Sequence, residues 1–212
     1  MPHSIKDHSP TILIFLKAPR VGYVKTRLAK DIGAESALNI YKMLVERQLS
    51  KLPSHYPLEV HYAPEEAREE MQAWLGERYT YHPQCSGGLG LRLENAVADA
   101  FDRDAKGVVC IGGDCPGLEL SHLEQTAAAL QSGSDVVFGP SEDGGYYLVG
   151  LNAPYPELFQ SIPWSTPETL EKSVKQATKM QLRVQMLQTL YDIDEIDELK
   201  RAVGEGLLNV EL

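Results

Sequence analysis

Apolar and polar residues along this chain follow two periods, one typical of buried strands and the other typical of amphipathic helices. Short runs of β-branched and aromatic residues, bounded by Gly, Pro or polar clusters, predict strands at 11–16, 58–62, 79–82, 108–111, 136–138, 146–150 and 184–190. Apolar residues three or four positions apart predict helices at 33–51, 64–75, 91–101, 121–130, 167–179 and 195–203. A capping box from Ser121 to Glu124 and the proline at Pro167 predict where two of these helices begin.

The order of these elements predicts the architecture. Strands that alternate with helices favour a mostly parallel sheet with helices on both faces, so we expect an α/β protein with three layers, α/β/α. A chain of 212 residues with 43% hydrophobic content is long enough to bury one such core. Since no linker, internal repeat or low-complexity tract divides the sequence, we predict a single domain over residues 1–212.

Composition excludes several classes of protein. The net charge of −10 argues against a general nucleic-acid binder, which needs a basic face. The longest purely apolar run, 12–16, is too short to span a membrane, and residues 1–10 lack the pattern of a signal peptide, so the expected location is the cytoplasm. Three cysteines and six histidines without Cys-x-x-Cys or His-Glu-x-x-His spacing argue against a disulfide framework or a zinc site.

Asp114 is the strongest single candidate for chemistry. The predicted strand Val108–Ile111 breaks into Gly112 and Gly113, which are followed by this one carboxylate and then by Pro116. The carboxyl ends of strands are where open α/β sheets bind ligands, and an acid at such a rim commonly serves a divalent cation. The alternative, equally compatible with the residues, is that Asp114 caps the next helix.

The loop after the first predicted strand is basic. Residues 8–30 contain no Asp or Glu, whereas five basic residues fall within them: Lys17, Arg20, Lys25, Arg27 and Lys30. Arg and Lys before a helix favour an anionic ligand such as a phosphate. The loop matches neither a Walker motif nor a dinucleotide fingerprint, and the alternative is a solvated basic loop.

Acidic residues cluster again near the end of the chain. Residues 192–198 hold five acids, and the alternation around Ile193 places Asp192 and Asp194 on one side. If that side faces Asp114, the repulsion between the carboxylates predicts a hard cation, Mg²⁺ or Mn²⁺, that would bridge to a diphosphate. The alternative is that Asp194 caps the last helix, with the other acids favoured by its dipole.

A third candidate segment is the Gly/Pro-rich loop 139–147. It holds Glu142 and Asp143, and a carboxylate beside an acceptor hydroxyl could act as a general base. The alternative is a plain turn, since Asp-Gly is a strong turn signal. Trp164, further along, is compatible either with stacking on a sugar ring or with packing against the helix that follows it.

Together these segments resemble a bacterial family of candidate GT-A-fold glycosyltransferases, some of them linked by name to arsenosugar biosynthesis. The segments that carry the resemblance are 15–20, 25–28, 88–92, 111–116, 139–147, 162–166 and 192–199. The resemblance implies a nucleotide-diphospho-sugar transferase fold. It also implies that Asp114 binds the metal on the nucleotide diphosphate.

The same segments are similar to the phospholactate guanylyltransferases and the molybdenum-cofactor nucleotidyltransferases. These share a Lys-x-Arg-Leu loop, an Asp-x-Pro strand end and a terminal Asp-Thr-x-x-Asp-Leu-like element. The match implies that Asp194 is the second carboxylate on the metal and leaves Asp192 outside it. Two features depart from these relatives: Glu195 stands where they have Thr, and the first loop lacks the Gly-rich signature of typical sugar nucleotidyltransferases.

The expected function is therefore metal-dependent glycosyl transfer from a nucleotide sugar to a small-molecule acceptor. Asp114 and Asp194 are the expected ligands of Mg²⁺ or Mn²⁺, and Asp143, with Glu142 as second choice, is the expected acceptor base. The expected phosphate- and nucleotide-binding residues are Lys17, Arg20, Lys25, Arg27 and Arg92. One alternative is nucleotidyl transfer from an NTP to a phosphorylated small molecule, which needs no protein base. Another is a non-catalytic protein that binds nucleotide sugars.

Overall fold

One sheet organises the computed structural model, which describes residues 9–52 and 55–210. In those ranges the strand order is β3-β2-β1-β4-β6-β5-β7. The strands are β1 (Thr11–Lys17), β2 (Leu58–Ala63), β3 (Thr80–Pro83), β4 (Val108–Ile111), β5 (Val136–Pro140), β6 (Tyr146–Leu151) and β7 (Val184–Met186). β6 runs antiparallel to β4 and β5, and the other pairs are parallel.

Helices connect these strands. They are α1 (Ala29–Ile32), α2 (Ala34–Lys51), α3 (Arg68–Leu75), α4 (Leu89–Asp102), α5 (Leu120–Gln131), α6 (Thr169–Lys179) and α7 (Ile196–Gly204). Two short 3-10 turns, Glu65–Ala67 and Pro156–Phe159, complete the connections. Within the two described ranges, no helix combines the length and the apolar character that crossing a membrane requires.

The core lies on both faces of the sheet, because side chains of β1 alternate between them. Ile12 and Ile14 face a cluster formed with α2, α3 and α5, whereas Leu13 faces a cluster formed with α4 and α6. A smaller cluster packs α7 against the remaining face of α2 through residues such as Leu44 and Leu199. Each fully buried aliphatic side chain stabilises the fold by roughly 1.5–3 kcal/mol. The predicted three-layer α/β/α architecture with a mostly parallel sheet is confirmed.

The last strand is shorter than predicted. The pattern of residues 184–190 favoured a strand throughout, but β7 ends at Met186, and beyond it only an isolated bridge joins Leu190 to Ser141. The register of β5 shifts between Gly139 and Pro140. Pro140 is the last residue of β5, and proline has no amide proton to donate. The regular pairing of β5 with β7 therefore ends before Pro140.

Helix capping also differs from the prediction. α5 begins at Leu120 with Glu119 as its N-cap, and the backbone N–H of Glu119 donates to Nδ1 of His122 at 3.1 Å. The predicted capping box from Ser121 to Glu124 is therefore wrong. α7 takes Glu195 as its N-cap in a box with Glu198.

Neither of the proposed aspartate caps exists in the structure. Since Glu119 caps α5 and Glu195 caps α7, the alternative interpretations of Asp114 and Asp194 as helix caps are wrong. Both carboxylates are consequently available to side chains from other parts of the chain.

The edge of the sheet that carries these carboxylates gathers several loops. β1 and β4 end there, and because β6 runs antiparallel to β4, the loop that precedes Tyr146 lies at the same edge. That loop docks on the start of α6, where the N–H of Leu170 donates to the carbonyl of Gly144 at 2.9 Å. Gly144 has φ +87°, and a Cβ there would lie 2.2 Å from the carbonyl oxygen of Pro167.

We expect Gly144→Ala to lower the free energy of unfolding by at least about 3 kcal/mol, because backbone strain and a clash with backbone atoms add. Gly76→Ala is a matched control, since Gly76 has φ +85° but no atom within 4 Å of the added Cβ. We expect a smaller loss for the control, about 1–3 kcal/mol, because it carries the backbone strain without the clash. Urea unfolding measures both values, and equal losses would contradict the tight docking of this loop.

Candidate active site

A cavity of about 490 Å³ opens at this edge of the sheet. The residues that line it come from β1 and the loop after it, β4 and the loop after it, the β5–β6 loop, β6, the start of α4, the segment that leads into α6 and the segment before α7. Its polar and aromatic lining includes Phe15, Arg27, Asp114, Asp143, Tyr146, Trp164, Ser165, Thr166, Asp192 and Asp194.

Asp114 reaches the cavity because the chain after β4 can pass close to its neighbours. A Cβ on Gly113 would lie 2.6 Å from a methyl carbon of Leu16 and 2.8 Å from one of Val45, so only glycine fits there. The Asp114 side chain that follows is 39% exposed, and its Oδ2 accepts a hydrogen bond from Nζ of Lys25 at 2.9 Å. Burial opposes ionisation of Asp114, but attraction to Lys25 outweighs it and holds the pKa below its ordinary value.

Lys25 is the cation at the centre of the site. Its side chain is only 5% exposed, and its Nζ also lies 3.3 Å from Oδ1 of Asp194. Burial alone would lower the pKa of Lys25, but Asp114 and Asp194 together outweigh burial and raise it. The backbone of Lys25 has φ +47°, a strained conformation for a residue with a Cβ. Such strain is common where a fold holds a functional side chain in place.

Arg27 forms the exposed flank of this cluster. One of its guanidinium nitrogens donates to Oδ2 of Asp194, and the other lies 4.0 Å from a carboxylate oxygen of Glu195. Its side chain is 59% exposed, so a ligand in the cavity can reach it.

Asp192 is the third carboxylate at this end of the cavity. Its Oδ2 accepts a hydrogen bond from the hydroxyl of Ser141 at 2.9 Å, whereas its Oδ1 is buried without a hydrogen-bond partner in the structure. Burial, followed by repulsion from Asp114, raises the pKa of Asp192 to about 7. Family resemblance pointed to Asp194 and away from Asp192. The alternation of residues 192–194 is the sequence signal that placed both on one side, and both line the cavity.

The donor set suits a hard cation. Across residues 9–52 and 55–210, no three His, Cys, Asp or Glu side chains are arranged to hold a metal ion by themselves. Mg²⁺, however, is usually held by one or two carboxylates together with water and substrate phosphates. The unpartnered Oδ1 of Asp192, close to Asp114, is an oxygen ligand of the required kind, and a cation there would relieve the repulsion between the two carboxylates.

The acidic loop sends its two neighbouring carboxylates in different directions. Asp143 lines the cavity, and its Oδ1 accepts a hydrogen bond from the N–H of Gly145 at 2.8 Å, so it also forms the expected turn. The carboxylate of Glu142 instead accepts from Arg201 of α7 at 3.0 and 2.8 Å. Glu142 does not contribute to the cavity wall.

Three of the predicted basic residues are engaged outside the cavity wall. Arg20 donates to Glu70 at 2.8 Å and to Glu66 at 3.3 Å. The ammonium of Lys17 lies 5.8 Å from the ring centroid of Tyr23.

Arg92 is the third. Its Nε donates to the carbonyl of Gly87 at 2.9 Å, and a second guanidinium nitrogen donates to the side-chain oxygen of Gln84 at 3.2 Å. The structure therefore brings Lys25, Arg27 and the four aspartates together. Arg20, Arg92 and Glu142 each bind partners elsewhere. Lys17 contacts Tyr23, but its charge also helps to lower the pKa of Asp114.

Aromatic residues also line the cavity, among them Trp164 and Tyr146. Trp164 lies 6.0 Å from Tyr146 and 6.5 Å from Phe159 between ring centroids, and it packs closely on Gly90 of α4. It both packs against its neighbours and lines the cavity, so the two interpretations of Trp164 are compatible. The roles of Tyr146, Ser165 and Thr166 in the wall were missed, because nothing in the sequence shows that the segment before α6 folds over the cavity.

Comparison with known proteins gives a family and a fold. Residues 49–166 match a family model described as uncharacterized protein conserved in bacteria (DUF2064). The structure also matches that of a provisionally assigned nucleotide-diphospho-sugar transferase from Desulfovibrio desulfuricans G20, with 33% identity over 87% of this chain and 82% of that one, and a TM-score of 0.83. No curated protein matches the chain.

Two more distant structures share the fold. One is CMP:2-keto-3-deoxy-manno-octonic acid synthetase complexed with CTP, at 12% identity over 93% of this chain and 100% of that one, with a TM-score of 0.58. The other is a Mycobacterium tuberculosis H37Rv protein in complex with manganese, at 17% identity over 92% and 98%, with a TM-score of 0.51. The architecture of the chain is therefore that of nucleotide-diphospho-sugar transferases and nucleotidyltransferases.

We expect the stability of the protein to depend on pH through Asp192. Folding raises the pKa of Asp192 from 3.8 to about 7, so the folded state binds the proton of this carboxyl more tightly than the unfolded state does. The resulting stabilisation is complete below about pH 4 and is lost as the pH rises to about 7. Asparagine does not titrate, so Asp192→Asn lacks this pH-dependent loss. The melting temperature of the variant minus that of the wild type should therefore rise by on the order of 5 °C between pH 4 and pH 8. Melting curves across that range test this, and parallel curves for the two proteins would contradict it.

Proposed function

The chain belongs to the bacterial family DUF2064, and from this premise we propose that it is a metal-dependent glycosyltransferase that moves a sugar from a nucleotide sugar to a small-molecule acceptor. The observation that carries the proposal is the convergence of Asp114, Asp192 and Asp194 at one open cavity, with Lys25 beside them in ion pairs with Asp114 and Asp194. The 33% identity with a provisionally assigned nucleotide-diphospho-sugar transferase supports a transferase that uses nucleotides.

The donor would bind through its diphosphate. Arg27 lines the cavity and Lys25 lies beside it, paired with Asp114, so phosphate oxygens could replace carboxylate oxygens as the partners of both cations. Asp114 and Asp194 would hold Mg²⁺ or Mn²⁺, with Asp192 as a further oxygen ligand. Such a cation neutralises the charge that develops on the departing diphosphate.

The remaining predicted basic residues would act at the rim. Lys17, Arg20 and Arg92 have partners of their own, so each would contact the nucleotide only after leaving them. We assign them a weaker role in binding than Lys25 and Arg27.

Asp143 would prepare the acceptor. It lines the cavity, and a carboxylate there can accept the proton of an acceptor hydroxyl while the acceptor oxygen bonds to the anomeric carbon of the sugar. The bond from that carbon to the diphosphate oxygen breaks, and the nucleoside diphosphate leaves with the electron pair. Glu142 is a poorer choice, because Arg201 holds its carboxylate outside the cavity.

Nucleotidyl transfer is the second candidate, and the shared fold with a synthetase that binds CTP favours keeping it. In that reaction the ionised phosphate of the acceptor attacks an NTP, and pyrophosphate leaves. No protein base is required for this reaction. Glycosyl transfer therefore needs the carboxylate of Asp143 as a base, whereas nucleotidyl transfer does not.

We expect nucleotide sugars to stabilise the protein in the presence of Mn²⁺. A ligand at about 100 times its Kd adds about 2.7 kcal/mol, which for a chain of this size raises the melting temperature by roughly 5–10 °C. A thermal-shift panel of nucleotides and nucleotide sugars, each with Mn²⁺ or EDTA, measures this. EDTA should abolish the shift, and the absence of a shift with every diphosphate would overturn the proposal.

We expect Asp143→Asn to reduce the rate of glycosyl transfer by about 10²-fold or more, because the amide cannot accept the proton of the acceptor hydroxyl. Glu142→Gln is the matched control, since it removes the neighbouring carboxylate outside the cavity, and its activity should stay within about threefold of wild type. Assays should record which product leaves. Release of pyrophosphate with Asp143→Asn still active would assign nucleotidyl transfer instead.

A further inference from the structure

The lining of the cavity is mostly acidic where it is charged. Among the described residues that line it, Arg27 is the one with a basic side chain, whereas Asp114, Asp143, Asp192 and Asp194 are acidic. Lys25 contributes a second positive charge next to the floor. The wall formed by Asp143, Trp164, Ser165 and Thr166, which we name the acceptor wall, carries no positive charge.

Both cations already have acidic partners. Lys25 is shared between Asp114 and Asp194, and Arg27 pairs with Asp194 and Glu195. A diphosphate would draw further on the same two cations. They are therefore unavailable to a second anionic group on the acceptor.

The carboxylate of Asp143 is exposed at the cavity. Its Oδ1 accepts one hydrogen bond, from the N–H of Gly145. Arg201 neutralises the neighbouring Glu142 but does not approach Asp143 through any ion pair within the structure as described. An acceptor at this wall thus faces a carboxylate that no basic side chain balances.

The chemistry of the rest of the wall is that of a site for a polar ring or an amine. Trp164 and Tyr146 present aromatic surface, which packs against the apolar face of a ring and attracts cations. Ser165 and Thr166 are exposed at the same wall.

We propose that the acceptor is a small alcohol or amine that carries no anionic group, and that cationic acceptors are favoured. Asp143 then serves as a charge filter as well as the base, repelling phosphorylated or carboxylated molecules from the acceptor wall. This inference rests on the proposed function and deepens it, because it names the acceptor class of the same site.

The test compares three sugars with one ring and different charge: glucosamine, glucose and glucose 6-phosphate. The chain has two tryptophans, so Trp74→Phe leaves Trp164 as the single indole reporter, and Trp74 lies outside the cavity wall. Each sugar is titrated against the fluorescence of Trp164 with Mn²⁺ and a nucleoside diphosphate present. We expect glucosamine to bind at least about 10-fold more tightly than glucose 6-phosphate, with glucose between them.

Two variants show whether Asp143 causes the order. In the Trp74→Phe background, Asp143→Asn should reduce the difference between glucosamine and glucose 6-phosphate to less than about threefold. Glu142→Gln removes one negative charge at the adjacent position and should leave the order unchanged. A high salt concentration should compress the wild-type order, because the effect is electrostatic.

The inference is overturned if glucose 6-phosphate binds as tightly as glucosamine, if none of the three sugars binds, or if the order survives Asp143→Asn. The proposed function is judged separately, by the Mn²⁺-dependent shift with nucleotide sugars and by release of nucleoside diphosphate. If those persist while the charge order fails, only the acceptor class falls. If no diphosphate binds, both fall.

Discussion

The buried ammonium of Lys25 is the interaction on which the site depends. It joins three segments that are far apart in sequence: the loop after β1, the end of β4 at Asp114 and the approach to α7 at Asp194. Removing one partner of a buried ion pair costs about 3–5 kcal/mol, because the other charge is left uncompensated. The strained backbone at Lys25 indicates that the fold meets an energetic cost to keep this contact.

One ammonium cannot balance all the acid that converges there. Attraction to Lys25 holds the pKa of Asp114 below its ordinary value, whereas burial and then repulsion from Asp114 raise the pKa of Asp192 to about 7. An incoming divalent cation with its diphosphate would supply positive charge to the carboxylates and negative charge to Lys25 and Arg27 at once. The arrangement of acidic and basic side chains at the site is thus complementary to a metal–diphosphate ligand.

The scaffold explains how acidic neighbours acquire different environments. Because β6 runs antiparallel to its neighbours, the loop before it returns to the edge where β1 and β4 end. In that loop Arg201 of α7 draws Glu142 outward, while the turn at Gly145 holds Asp143 at the cavity. Two adjacent carboxylates therefore differ in what they can contact, although their chemistry is nearly the same.

Periodicity and chain order alone determined the architecture, the strand Val108–Ile111 and the position of Asp114 at its end, because these depend on local spacing and on burial of whole elements. The sequence also indicated that Asp192 and Asp194 share a side. Only the tertiary structure decided that β7 stops early and which acidic and basic residues meet at the cavity. Such choices depend on partners brought together from distant segments, and no local pattern encodes the position of a distant partner.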